Sequence, residues 1–556
     1  MQAYFQYRAI KASVQKQLNE FPGRHSNAFE SGESPFHEIR NQISQELRSY
    51  GIQLIDNPDH RGESSQIFLV DWQGENDALN PRNFSVKKRI MATIIVSALA
   101  FVVSASSSIE SAVISQSSAT YNVSEVVASL FTAIFLLGFA AGSLVSGPLS
   151  EILGRNAVYT IATTLFMFFI MGSGISPNVG AKLVFRFLAG VCGCPPLTCA
   201  GGTVADVWNP LEKTLAFPMY AILSFGGAIL SPVIASYMGH STLSWLWVNW
   251  IVLIMAGLVL ALVVFFQPET YGPLLLKWKA KHLRKLSGDP RYQSKLDLDK
   301  TPLLNRIGLA CARQFTLAVR EPIILLLALY MTILYIVLFT FFDGYPYIFA
   351  DVHHLSEELT NIIWVAMYVG IMLAVVCVPG LYRKYQNDCL KGESGDCDNH
   401  VRSNENNSDT SRQNPPTPKR MSIDPEERLW YAMIGAPAIP ISLFWMGWTD
   451  YKDISIWSPI LGSSLFGFGS ICLFISSYMY VIDSYEIYAA SALGFMTVSR
   501  YCAAGGMTVV GISFYKNMGV QWTLTILGII SSLMTPVPYM FWRFGSVIRG
   551  WSRYAV

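Results

Sequence analysis

The chain has 556 residues, of which 52% are hydrophobic and 14% charged, with a net charge of +2. A soluble protein of this length carries nearer a quarter charged residues, and mean hydropathy here is +0.35. Nothing global points to nucleic acid. The apolar residues arrive in separate runs of about 20, the length that crosses a bilayer, rather than as one soluble core.

In chain order, residues 1–86 read as a polar cytosolic tail. They hold no apolar run of the cleaved-signal type, so the first span is expected to serve as an uncleaved insertion signal. Six apolar segments follow at 90–110, 127–147, 157–176, 183–205, 213–237 and 245–267. A polar central loop at 268–320 separates them from six more, at 322–346, 358–380, 428–449, 456–481, 485–511 and 520–542. The expected fold is all-α, twelve transmembrane helices in two six-helix halves: 87–267 and 321–543. Residues 385–420, rich in Asn, Ser, Asp and Pro, are too polar to bury and are expected to be a disordered cytosolic insertion. Residues 544–556 form a C-terminal tail.

Charge sets the orientation. Lys87, Lys88 and Arg89 precede the first span, Lys277 to Lys285 fill the central loop, and Arg543 and Arg549 follow the last span. The loops at 111–126, 238–244 and 347–357 hold no Lys or Arg. With twelve spans every basic cluster falls on one side, which predicts both termini in the cytosol. Asn122-Val-Ser124 is then an outward glycosylation sequon. The nine cysteines show no metal-ligand spacing backed by histidines and read as packing residues.

Several short stretches carry a family resemblance. Gly147-Pro-Leu-Ser-Glu151-Ile-Leu-Gly154-Arg155 resembles the loop signature of the major facilitator superfamily, with Glu for Asp at 151 and Ile for Arg at 152. The resemblance implies a latch between helix ends built from Gly147, Glu151, Gly154 and Arg155, with Asp206 in the same network. Arg186-Phe-Leu-Ala-Gly190 is similar to the superfamily's second motif, whose arginine is linked to proton transfer in drug:proton antiporters. Gly227-Ala-Ile-Leu-Ser231-Pro232 looks like the antiporter motif, with Ser and Ala in place of three glycines. Asn80-Pro-Arg-Asn, Pro268-Glu-Thr-Tyr-Gly-Pro, Phe341-Phe-Asp-Gly-Tyr-Pro346 and the run from Asp483 to Arg500 resemble fungal twelve-span drug:proton antiporters.

That resemblance implies a substrate cavity between the halves. Its candidate lining is Ser104 and Ser107 from the first span, Tyr330, Tyr335, Phe339 and Phe342 from the seventh, and Phe474 and Tyr478 from the tenth. Aromatics with a few acids suit amphipathic or cationic organic molecules. Proton-coupling candidates are Arg186, Glu110, Asp343, Asp483 and Glu486. The four acids lie near span ends, where a solvated loop carboxylate is the ordinary reading. The function expected is export of a drug, toxin or secondary metabolite by proton antiport, as a monomer without cofactor, at the plasma or vacuolar membrane. A polyamine exporter and a non-transporting receptor of the same fold are the alternatives. No phosphate loop, metal cluster or nucleophile triad suggests ATP-driven or enzymatic work.

Overall fold

The computed structural model describes residues 1–20, 50–58, 64–74, 76–239, 244–298, 301–387, 424–485, 488–552 and 554. Glu486 and most of the 385–420 insertion lie outside the described residues.

Among the described residues, eleven helical segments are long and apolar enough to cross a membrane. Helix α1 (Gln2–Glu20) and strands β1 (Ile52–Pro58) and β2 (Ser64–Val70) precede them. The membrane helices are then α2 (Val86–Ser108), α3 (Glu125–Leu153), α4 (Arg155–Ile175), α5 (Val179–Gly193), α6 (Lys213–Gly239) and α7 (Trp247–Phe266). Helix α8 (Gly272–Ser287), β3 (Tyr292–Gln293) and α9 (Leu303–Arg320) fill the central loop. The later helices are α10 (Pro322–Tyr345), α11 (Trp364–Val376), α12 (Ala438–Thr449), α13 (Trp457–Tyr485), α14 (Ala489–Met534) and α15 (Pro536–Trp551). Local chemistry sets several starts: the Ser124 hydroxyl caps α3 at Val127 N–H, and Asn178 Oδ1 caps α5 at Ala181 N–H, 2.8 Å away.

Helix α2 packs on α6, α3 on α5, and α4 on α5 and α7. In the later part α10 packs on α14, and α13 on α11 and α12. Pairs that bridge these sets include α3 with α14, α6 with α11 and α6 with α13. The outer faces are apolar: Ile161, Phe168, Leu258 and Leu373 are each more than half exposed, as lipid requires of a surface that cannot hydrogen-bond. Trp247, Trp457 and Trp522 lie exposed near span ends remote from the termini, where indoles favour the interface.

Three irregularities matter for the site. A 3₁₀ turn, Ile109–Val113, interrupts the first membrane segment, a π-helix, Pro346–Ala350, ends α10, and Pro195 and Pro196 separate α5 from Ala200–Val207. In α14, Gly519 has φ 76° and ψ 170°.

The fold is largely rather than wholly α-helical, which corrects the all-α expectation. Strands β1 and β2 pair antiparallel, Ile52 opposite Val70, and β3 joins β2 in parallel. Ile10 and Val14 of α1, Val70 of β2, and Leu275, Ala280 and Leu283 of α8 form a separate small core. The N-terminal segment thus folds onto the central loop, tied by Lys279 Nζ donating to Asp71 O at 2.9 Å.

Candidate functional site

The polar side chains buried in the helix bundle fall at three depths. At the face carrying the termini, α3 ends and α4 begins within one residue, Gly154, at φ 92°. A Cβ there would lie 2.4 Å from Leu274 Cδ2 and 2.5 Å from Glu269 Oε2, so only glycine fits. The turn places Arg155 Nε 3.2 Å from Asp206 Oδ2, and the guanidinium also donates to the Ser150 hydroxyl. Of the two acids in the expected latch, Asp206 is the one that pairs directly with Arg155. Glu151, in the last turn of α3, is half-buried. Gly147 has open space around a notional Cβ.

Glu269 completes this turn and was missed as a site residue, although its Pro-Glu-Thr stretch was visible. Its carboxylate accepts the N–H groups of Arg155 (3.0 Å) and Asn156 (3.2 Å) at the start of α4, and those of Thr270 (3.0 Å) and Tyr271 (2.9 Å). Burial pushes its pKa up, and these donors pull it back.

On the same face, Asp483 of α13 joins the two sets of helices. Lys213 Nζ of α6 lies 2.8 Å from Asp483 Oδ1, and Arg428 Nε lies 2.8 Å from Oδ2. Arg428 also donates to Thr214 Oγ1 (2.6 Å) and Pro210 O (2.7 Å). This face is closed by charge across the bundle. Asp483, a proton-coupling candidate by sequence, sits here as a bridge between cations.

At mid-depth, Arg500 of α14 is 1% exposed and ringed by aromatic side chains. Its guanidinium carbon lies 4.7 Å from the Tyr335 ring, 4.9 Å from Tyr501, 5.3 Å from Tyr478 and 5.7 Å from Phe474. Phe217 and Phe225 of α6 and Phe139 of α3 pack on that ring from the other set of helices. Three cavity candidates, Tyr335, Phe474 and Tyr478, thus meet here. Their faces, expected to receive a cationic ligand, already hold Arg500. Phe339 stacks on Tyr335, while Phe342 stacks on Trp364 nearer the opposite face. Tyr330 makes no contact with this ring, and its buried hydroxyl has no partner among the described residues. Ser104 and Ser107 are buried within α2, the Ser107 hydroxyl donating to Ser104 O at 2.6 Å.

Toward the face away from the termini, Glu110 stands on the 3₁₀ turn, 4% exposed. Lys182 Nζ lies 3.1 Å from its Oε1, and the Arg186 guanidinium contacts the same oxygen. Arg186 also donates to Ser106 O at 3.0 Å. Lys182 lies over the rings of Trp245 (4.4 Å) and Phe131 (4.6 Å). Glu110 is thus no solvated loop acid, and Arg186 is held inside the bundle rather than reaching for an interface. Lys182 falls just outside the expected fourth span at 183–205, whereas α5 begins at Val179 and brings it inside.

Asp343, in the last turn of α10, is 6% exposed, and its Oδ2 has no partner among the described residues. It lines a cavity with Ser111, Ser115, Glu125, Tyr347 and Glu357, drawn from both sets of helices. Asn122, an exposed left-handed helix cap, lies in the loop on this side. In the fifth-span motif, a Cβ on Gly227 would come within 2.1 Å of Phe101 O, so glycine allows α6 to lie against α2. Ser231 has its own use: its hydroxyl lies 2.8 Å from that of Ser108, which donates to Ala228 O.

Residues 96–509 match the Major Facilitator Superfamily. The chain belongs to this superfamily. It is similar to the MFS-type transporter kojT of Aspergillus flavus, 44% identical over 494 residues that cover 88% of this chain and 83% of that protein. The Ascochitine biosynthesis cluster MFS transporter of Didymella fabae is 30% identical over 501 residues, covering 89% and 91%. Among solved structures, the proton:xylose symporter XylE of E. coli superposes with a TM-score of 0.58 over 83% of this chain and 96% of that one. Sequence identity there is 13%, so this likeness speaks for the fold alone. As a major facilitator protein with fungal transporter relatives, the chain is a multi-pass membrane transporter and not an enzyme.

Proposed function

We propose that the protein is a twelve-span proton antiporter that exports a small organic molecule by alternating access, with both termini in the cytosol and the plasma membrane as its site. The observation that carries the reading is Glu110, buried on a helix break and held by Arg186 and Lys182. Charge buried among membrane helices is costly even when paired, and commonly marks a path for ions or protons. Protonating Glu110 removes the counter-ion of two buried cations. That gives the first segment and α5 a reason to part and repack as the transporter turns over. Asp343, beside a cavity on the face away from the termini, is the second acid placed to take a proton arriving from outside.

Helix length supports the span count. The last apolar segment, Ala489–Trp551, has 63 residues. At 1.5 Å per residue it would reach about 95 Å, some three bilayer cores. Splitting it at Gly519 yields two spans, twelve in all, six on each side of the central loop. The basic clusters then share one side with the charge network of Arg155, Asp206 and Asp483, which acts as the cytosolic gate. A relative named for a biosynthesis cluster favours a secondary metabolite as cargo. The polyamine alternative loses support because a polycation would have to enter beside Arg500.

Reconstituted vesicles with an imposed pH gradient test this reading, using a panel of acidic, neutral and cationic organic compounds. Wild type should accumulate at least one compound in proportion to the gradient, and Glu110→Gln and Arg186→Ala should reduce that at least ten-fold. Transport indifferent to the gradient, or unchanged in both variants, would overturn it.

A further inference from the structure

We infer that Arg500 and its aromatic ring form the subsite for the charged end of an organic anion, so that the cargo is an aromatic or conjugated acid bound as its conjugate base. The inference rests on the export reading for the word cargo, and on the geometry for the site.

The guanidinium of Arg500 is 1% exposed, and its Nε and NH1 have no hydrogen-bond partner among the described residues. No ion pair joins it to any described carboxylate. Arginine keeps its charge in proteins, and a buried guanidinium without a counter-ion is stabilised by any anion that reaches it. Aromatic faces at 4.7 to 5.7 Å offset part of the desolvation but leave the planar N–H edge unused. Free guanidinium N–H groups can meet a carboxylate with two bonds, or an enolate oxygen with one.

Its surroundings suit the rest of such a molecule. Beside the four rings that hold the guanidinium, Phe139, Phe217 and Phe225 from the other set of helices bring further apolar faces for a conjugated ring. Because the ring is assembled from both sets, their separation opens it, as a central substrate site needs. The neighbouring buried cluster agrees in sign. Arg186 and Lys182 share one acid, Glu110, so two cations there face a single carboxylate. A cationic guest would meet a fixed positive charge where it expected aromatic faces.

The test is equilibrium binding to purified protein in detergent, without any gradient, using three probes of similar size: salicylate, salicylamide and phenyltrimethylammonium. Wild type should bind salicylate at least ten-fold more tightly than either other probe. Arg500→Gln should abolish that preference, and Arg500→Lys should restore part of it. A thermal-unfolding scan of each variant separates loss of the subsite from loss of the fold, and the lysine variant keeps the comparison open if the glutamine variant unfolds. No preference for the anion, including no binding of any probe, would overturn the inference, as would salicylate binding unchanged in Arg500→Gln. Gradient-driven transport of a neutral compound by both wild type and Arg500→Gln would leave the export mechanism standing and remove this subsite. Anion binding without gradient response would do the reverse.

Discussion

Glu269 shows how much one side chain organises. It caps the first turn of α4 with a negative charge where the helix dipole favours one. Removing it strands several buried N–H groups, so Glu269→Ala should cost about 2 kcal/mol and lower the melting temperature in detergent, with Glu269→Gln falling between. Asp450, in the loop after α12, is 1% exposed and its carboxylate oxygens lack hydrogen-bond partners, with His353 Nε2 3.6 Å away. Burial pushes its pKa up to about 7, against roughly 3.9 when unfolded. The native form therefore holds a proton that the unfolded chain has released. Stability from this group is fully present below about pH 4, declines as pH climbs through about 7, and is flat above. Asp450→Asn should flatten that decline in unfolding curves taken between pH 4 and 8. An unchanged slope would mean the carboxyl titrates normally. Glu269 was legible only as part of a resembling stretch and Asp450 not at all, because burial of a loop acid depends on what packs over it.

At the scale of elements, the close pair is α2 with α6. Gly227 lets Phe101 O approach to 2.1 Å of where a Cβ would stand. Gly227→Val should force the helices apart and sharply reduce folded protein in a size-exclusion assay, since overpacking of this kind costs about 1–3 kcal/mol or more. Ser231→Ala removes the hydrogen bond to Ser108 and a longer one, 3.4 Å, to Ala228 O; at about 0.6 kcal/mol for such a bond inside a membrane, the folded yield should stay near wild type. The glycine was legible as a motif position. The serine looked like decay of the motif, and only the neighbouring Ser108 shows what it does. Likewise α1 and the β1–β2 hairpin lie in a tail read as merely polar. Apolar Phe68 and Val70 were there in sequence, yet Tyr292, which stacks on Phe68, and Leu275 and Leu283, which pack with Val70, sit some 200 residues away.

At the scale of the whole molecule, the terminal face is shut by Asp483 between Lys213 and Arg428. Asp483→Asn should weaken that closure and shift the population roughly ten-fold, about 1.4 kcal/mol, toward a form open on this face. Hydrogen–deuterium exchange over residues 208–220 should then quicken, and no change would show that the bridge is not the closing element.

The sequence by itself determined that the chain spans a membrane repeatedly, approximately where, and in which superfamily. A bilayer core demands contiguous apolar runs with every backbone group bonded inside the helix, and such runs are local and readable. Only the tertiary structure decided which charges are buried, and with whom. Glu110 and Asp343 look like span-end acids in one dimension. A 3₁₀ turn and a π-helix beside them fold those ends inward. Arg155 chooses Asp206 over the nearer Glu151, and Arg500 gathers its ring from helices far apart in the chain. Pairing of this kind is set by helix breaks and by packing between distant segments, for which hydropathy carries no signal.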